Sequence, residues 1–307
     1  MDAVLAKNPR TVVLTGVSRG FGREAAKTLI ARRPQDRYVV LARGDAAGTA
    51  EALAPAVGTG RVLGVACDLG SLADVDRAAG VITSGLDNGE LPPLGGFLGN
   101  AGVVFMRTDT ATVDGYETTF AVNVLAHQLL VRRLMERFAA PAWVVLTTSD
   151  SHFGQFRYTL GATPPPRWDA PARLARPREG GPREAGRAYA TSKLGTIYLA
   201  HALARRLPPE VAVHAYNPAL VAGTDFFRAA PPPLRAMAKG FFRLQSALGR
   251  GMTPQQAGLR LAETILAGPP GPPGSYIDRG RVVPSSPESY DEAREEELWR
   301  EATRLSG

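Results

Sequence analysis

The sequence predicts an α/β fold in which a doubly wound parallel sheet of about seven strands carries helices on both faces. Three observations carry that prediction. Short β-branched runs alternate with longer helical stretches, and a glycine-rich turn follows the first run directly. Runs such as Trp143-Val144-Val145-Leu146 are apolar throughout, as strands buried on both faces must be.

In chain order, a strand over 11–14 feeds the glycine-rich turn and a helix over 22–32. A second strand over 38–42 precedes a helix over 46–54, opened by Asp45 as a side-chain cap. The third strand, 61–66, leads to a helix over 72–86, and the fourth, 96–98, to a long helix over 114–139. A fifth strand over 142–147 and a sixth over 211–216 bracket a helix over 186–206. Beyond them come a helical stretch towards Leu248, a short strand about Tyr276 and a charged final helix over 290–305. Three proline- and glycine-rich stretches, 163–182, 231–233 and 268–274, break the rhythm and read as loops or connectors. None resembles a linker between independent cores. The expectation is one domain over 1–307, with insertions near 151–186 and 224–250.

The chain has 307 residues, 44% of them hydrophobic, enough to bury a full core without a partner. Its single cysteine, Cys67, excludes an intramolecular disulfide and fits a cytoplasmic protein. No run approaches the roughly 18 apolar residues of a membrane span, so none is expected. The net charge of +7 raises the question of nucleic acid. Lysine occurs only at Lys7, Lys27, Lys193 and Lys239, and the arginines are dispersed without interleaved aromatics, so no nucleic-acid partner is expected. No His/Cys/Asp/Glu spacing suits a metal, and none is predicted.

The turn reads Thr15-Gly16-Val17-Ser18-Arg19-Gly20-Phe21-Gly22. Glycines there let the backbone turn tightly and approach a pyrophosphate, which the N–H groups of the following helix start would hold. Gly16, Ser18, Arg19, Gly20, Phe21 and Gly22 are therefore phosphate-binding candidates. An NAD reader places an acid at the end of the second strand. Here that end reads Leu41-Ala42-Arg43, and Arg43 with Arg19 would meet a 2′-phosphate, which favours NADPH.

The Gly-x-x-x-Gly-x-Gly spacing resembles that of the short-chain dehydrogenase/reductase family, whose fold is of Rossmann type. Further segments match in order. Cys67-Asp68-Leu69 ends the third strand, and the resemblance implies that Asp68 and Leu69 lie against the adenine. Asn100-Ala101-Gly102 resembles the family's turn beside the cofactor, although Gly99 stands where a second asparagine is frequent. Pro218-Ala219-Leu220-Val221-Ala222-Gly223-Thr224 resembles the segment that holds the nicotinamide amide, which implicates Pro218, Val221 and Thr224; Ala219 replaces the usual glycine.

Tyr189 and Lys193 stand four apart on a predicted helix, so phenol and ammonium share one face. Carbonyl reduction needs a hydride on carbon and a proton on oxygen. Bringing a phenol from about 10 to about 7 takes roughly 4 kcal/mol, which an ammonium about 4 Å away supplies at an effective dielectric near 20. The resemblance also implies that Lys193 bonds the nicotinamide ribose. It further implies that Ser149 polarises the carbonyl, with Ser151 as the nearby competitor, and that Asn123 anchors a water leading to the lysine. His152 reads as a loop or pocket-lining residue rather than a base.

Between Ser149 and Tyr189 lie 39 residues, an insert resembling those of the retinol-dehydrogenase and protochlorophyllide-reductase relatives. Its Phe153, Phe156, Tyr158 and Trp168, with Phe226, Phe227, Phe241 and Phe242 further on, suggest a wall for a bulky hydrophobic carbonyl substrate. The resulting expectation is NADPH-dependent reduction of a ketone or aldehyde, as in a tailoring ketoreductase of secondary metabolism. A retinol- or steroid-like alcohol dehydrogenase and a non-catalytic NADPH-binding sensor are the alternatives. A homo-oligomer through helix pairing stays open.

Overall fold

In the computed structural model, which describes residues 8–56, 60–159, 161, 163–221, 240 and 251–307, hydrogen bonds join eight strands into one sheet. The strands are β1 (Thr11–Thr15), β2 (Arg37–Ala42), β3 (Val62–Ala66), β4 (Leu94–Gly99), β5 (Phe138–Thr147), β6 (Val211–Asn217), β7 (Tyr276–Asp278) and β8 (Arg281–Val282). Their order is β3-β2-β1-β4-β5-β6-β7-β8, parallel except for the β7/β8 pair at the edge. The chain builds outward from β1 to β3, then crosses back to lay β4 on the other side of β1. That reversal leaves a crevice at the carboxyl ends of β1 and β4, where ligands of open α/β sheets bind.

The principal helices are α1 (Gly20–Arg32), α2 (Ala46–Glu51), α3 (Leu72–Asp87), α4 (Ala126–Leu134), α5 (Pro182–Ala204), α6 (Pro254–Leu266) and α7 (Glu292–Ser306). Successive strand residues point to opposite faces and feed two separate cores. Val13, Val39, Phe97, Val144 and Val213 pack with α3, α4, α5 and α7. Val12, Leu14, Leu98, Trp143 and Val145 pack with Ala25, Leu29 and Ile30 of α1 and Leu261 and Ile265 of α6. Asp45 caps α2 as expected, its Oδ1 accepting from Gly48 N at 2.7 Å.

The long helix expected over 114–139 is shorter and interrupted. Gly115 has a φ of 79°, and Glu117 caps the first helical residues by accepting from Phe120 N at 2.7 Å. A π turn then occupies Ala121–Leu125 before α4. The far end is strand rather than helix, because Phe138 pairs with Leu94 of β4 and Pro141 biases the residue before it away from helical backbone. Apolar spacing alone could not separate the two.

Candidate active site

Residues from β1, β4, β5 and α5 meet at the crevice through a continuous path of hydrogen bonds. Gly16 and Gly20 take φ values of 67° and 62°, a region that a side chain disfavours. A Cβ on Gly22 would lie 2.3 Å from Gly16 O and 2.3 Å from Asn100 Nδ2. With that space clear, Asn100 Nδ2 donates to Gly16 O at 2.8 Å. Asn100 Oδ1 accepts from Thr147 Oγ1 at 3.1 Å, and Thr147 O accepts from Lys193 Nζ at 3.0 Å. The path therefore runs from the glycine turn through Asn100 and the end of β5 to α5.

Thr15 closes the turn from below. Its buried hydroxyl accepts from Asn100 N at 3.0 Å and Ala101 N at 3.1 Å, donates to Leu98 O and lies 3.1 Å from His127 Nε2. Gly99, the departure from the family's frequent asparagine, has no room for a side chain: a Cβ would meet Leu146 Cδ2 at 2.7 Å and His127 Cδ2 at 3.0 Å. Burial and the Lys193 charge push His127 down to about 4, so it is neutral there.

On α5, Tyr189 and Lys193 share a face, with the ammonium 5.6 Å from the phenol ring centre. The Ser149 hydroxyl hydrogen-bonds the phenol. Ser151, the competitor, is buried in the turn Asp150–Phe153 and its Oγ has no hydrogen-bond partner among the described residues. Ser149 is thus the serine that meets Tyr189. The expected lowering of the phenol by Lys193 is reversed: burial pushes Tyr189 up to about 12, against the downward pull of the Ser149 bond. Lys193 is itself buried, which brings it down to about 8.

Asn123 sits inside the π turn, a feature frequent at functional sites. Its Oδ1 accepts from Val103 N at 2.8 Å, and its Nδ2 donates to Val103 O at 3.0 Å and Ser192 Oγ at 2.9 Å. Its side chain thus ties the strand-4 loop to α5. Gly102 completes the enclosure, since a Cβ there would lie 3.2 Å from Lys193 Nζ.

The described cofactor candidates follow the carboxyl ends of β1, β2, β3, β4 and β6. Ser18, Arg19 and Gly20 are exposed at the start of α1, and a Cβ on Gly20 would meet nothing within 4 Å. Phe21 is half-buried against α1's core, and Arg43 is exposed just past β2. One Asp68 oxygen accepts from Gly70 N at 2.9 Å, while Leu69 packs partly on the core. Ala101 is half-exposed, Pro218 is buried, and Val221 is buried and pairs with Met252. Ala219 takes the left-handed conformation of the glycine it replaces, with φ 61°. Positive charge near two strand ends and a turn cleared of side chains fit a dinucleotide. Thr224, Phe226, Phe227, Phe241 and Phe242 lie outside the described residues.

His152 is structural, in keeping with its sequence reading. Its Nε2 accepts from Ser286 N at 3.2 Å, so its Nδ1 donates to Ser149 O at 2.6 Å, and burial holds it near 4. The substrate wall is only partly as expected. Trp168 packs edge-on against Tyr198 at 4.6 Å. Tyr198 follows Tyr189 by nine positions, half a turn from it around the helix at roughly 100° per residue, so Trp168 braces the back of α5. Phe153 stacks on Tyr158 at 3.9 Å, whereas Phe156 is 73% exposed. Sequence reading missed Thr15, His127, Thr147 and Ser192; their one signal was a hydroxyl or imidazole within apolar runs.

A short chain dehydrogenase family model matches residues 10–160. A Streptomyces sp. (strain C5) protein named for daunorubicin C-13 ketoreduction is 31% identical over 312 residues, covering 97% of this chain and 93% of its own. Zebrafish (Danio rerio) polyprenol dehydrogenase is 27% identical over 98% of this chain and 88% of its own, and human (Homo sapiens) retinol dehydrogenase 12 is 31% identical over 69% and 61%. Among solved structures, a protein of uncharacterised function from Mycobacterium Paratuberculosis superposes with a TM-score of 0.67 at 23% identity, covering 97% of this chain and 94% of that one. Among the described residues, no helix is long and apolar enough to cross a membrane, and no cluster of His, Cys, Asp and Glu suits a metal.

Proposed function

Because the chain belongs to the short-chain dehydrogenase/reductase family, we propose that it reduces a ketone or aldehyde on a bulky hydrophobic molecule, using NADPH, within one catalytic domain over 1–307. The family's nicotinamide cofactor, when bound, supplies the hydride to the carbonyl carbon. The chain's own residues do the rest. Gly16, Ser18, Arg19, Gly20, Phe21 and Gly22 would hold the pyrophosphate at the positive end of α1. Arg43 and Arg19 would pair with the 2′-phosphate, with Asp68 and Leu69 at the adenine. Asn100, Ala101, Gly102, Pro218, Val221 and Thr224 would line the nicotinamide side.

Tyr189 donates the proton to the carbonyl oxygen, and Ser149 stabilises the negative charge that develops there. Lys193 is cationic at neutral pH, since burial leaves it at about 8, and it offsets the charge of the phenolate as the proton departs. Asn123 holds the loop and helix that frame them. The observation that carries this reading is the Ser149–Tyr189 bond beside a buried ammonium, itself tied to the glycine turn through Thr147 and Asn100. Relatives named for daunorubicin, polyprenol and retinol support a large apolar substrate.

The test follows NADPH consumption over a panel of polycyclic ketones and long-chain aldehydes, with Arg43→Ala alongside. Charge-assisted bonds to a phosphate are worth about 1.5–3 kcal/mol, so the variant should weaken NADPH roughly 10- to 100-fold and leave NADH nearly unchanged. Equal losses for both would refute the phosphate role. Cofactor binding without turnover on any carbonyl would favour a sensor.

A further inference from the structure

Polar contacts at the carboxyl end of β6 converge on one side chain that is buried to 1% exposure, Asn217. Its Nδ2 donates to two carboxyl groups, Asp150 Oδ1 at 2.7 Å and Asp278 Oδ1 at 3.0 Å. Its Oδ1 accepts from Ala219 N at 3.0 Å, and its backbone carbonyl accepts from Arg279 N at 3.0 Å. Asp150 follows Ser149 in the chain, and Ala219 begins the backbone leading to Val221. Asn217 thereby joins the serine turn to the segment after β6. Ala219 and Arg279 are also the two described non-glycine residues with positive φ, 61° and 50°, so both anchored amides belong to backbone that a Cβ disfavours.

Two acids on one amide make an arrangement sensitive to charge. Asp278 is balanced by Arg279 at 2.7 Å. Asp150 receives only neutral donors in its described hydrogen bonds, Asn217 and the Tyr276 hydroxyl at 3.3 Å. The remaining neighbour on its own loop, His152, is neutral and lies against Tyr276 with ring centres 5.0 Å apart. Burial, and then the Asp278 charge, push Asp150 up to about 6, outweighing the Tyr276 hydrogen bond, the Arg279 charge and, least of all, the Asn217 hydrogen bond, which pull it down.

We propose that Asn217 is a positioning residue for the site, and that proton uptake by Asp150 governs how firmly it holds the Ala219 backbone against the serine turn. With Asp150 neutral, the amide bridges one charged and one uncharged acid. With Asp150 ionised, the two carboxylates repel across a single NH2 group, and the hold on Ala219 loosens. The proposal rests on the reductase reading only for its consequence, a grip on the cofactor that strengthens as pH falls through about 6.

Hydrogen exchange read by mass spectrometry on the whole protein without ligand tests it. Wild type and Asp150→Asn are compared at pH 5 and pH 8, each corrected for intrinsic exchange. Protection of the peptide carrying Ala219 should drop several-fold at pH 8 in the wild type and stay level in the variant. NADPH affinity over the same range should follow, the wild-type to variant ratio of Kd rising through pH 6 because titration of the cofactor's own phosphate cancels. Parallel exchange profiles in the two proteins would overturn the proposal. Should Asp150→Asn fail to fold, Asp278→Asn serves, since removing the opposing charge must flatten the profile as well. A difference in exchange with no NADPH binding at any pH would keep the positioning role and discard the reductase reading.

Discussion

Replacing Thr15 by Val keeps the shape of a fully buried side chain and deletes one oxygen. That oxygen accepts the N–H groups of Asn100 and Ala101, so the substitution leaves two backbone donors unmatched at the turn beside the crevice. Leaving a buried donor unsatisfied costs about 1–3 kcal/mol. Both amides are only part-buried, which puts the sum near 2–3 kcal/mol by the same scale. This is a large fraction of a total stability of about 5–15 kcal/mol. Urea unfolding of Thr15→Val against wild type measures it, with Thr49→Val as control. The Thr49 hydroxyl also bonds a backbone carbonyl, at 2.8 Å, but on the surface, where about 0.5 kcal/mol or less is expected. NADPH binding should weaken in Thr15→Val and not in Thr49→Val, because the displaced turn carries Asn100 to Gly102. A Thr15→Val loss no larger than the control's would refute the role assigned to this hydroxyl.

Two further outcomes follow from the same geometry. Restoring the family's frequent asparagine with Gly99→Asn should destabilise the protein by about 2 kcal/mol or more, since its Cβ would overlap Leu146 and His127; thermal unfolding checks this, and an unchanged midpoint would contradict it. Carbonyl reduction should fall as pH rises through about 8, because burial lowers Lys193 and the ammonium, present below that value, is lost above it. A kcat/KM profile flat to pH 10 would remove the lysine charge from the chemistry.

The strands were legible because buried parallel strands must be β-branched and apolar on both faces, and four of the six expected ones lie within one residue of those observed at each end, β4 and β5 starting earlier. The glycine turn, the Asp45 cap and the Tyr189/Lys193 pair were legible for the same reason: each is a local pattern with one physical meaning. The helix expected over 114–139 was not, because apolar spacing continues through a π turn and into a strand whose pairing with Leu94 is invisible in sequence. Thr15, Thr147 and His127 were missed because the groups they meet at the turn, Asn100 for both threonines and Thr15 for His127, lie 47 to 112 positions away. Trp168 misled by its closeness to Ser149 in the chain. The fold carries it behind α5, onto Tyr198. The direction of the Tyr189 shift was lost for an energetic reason: attraction at an assumed distance was weighed, and the burial of phenol and lysine together was not.

Tyr189→Phe tests the central claim most directly, because it removes one hydroxyl and keeps the ring. With NADPH and a reducible ketone, turnover should fall by about a hundredfold or more, while the Kd for NADPH stays within about twofold. Turnover that survives the loss of that proton donor would contradict the account.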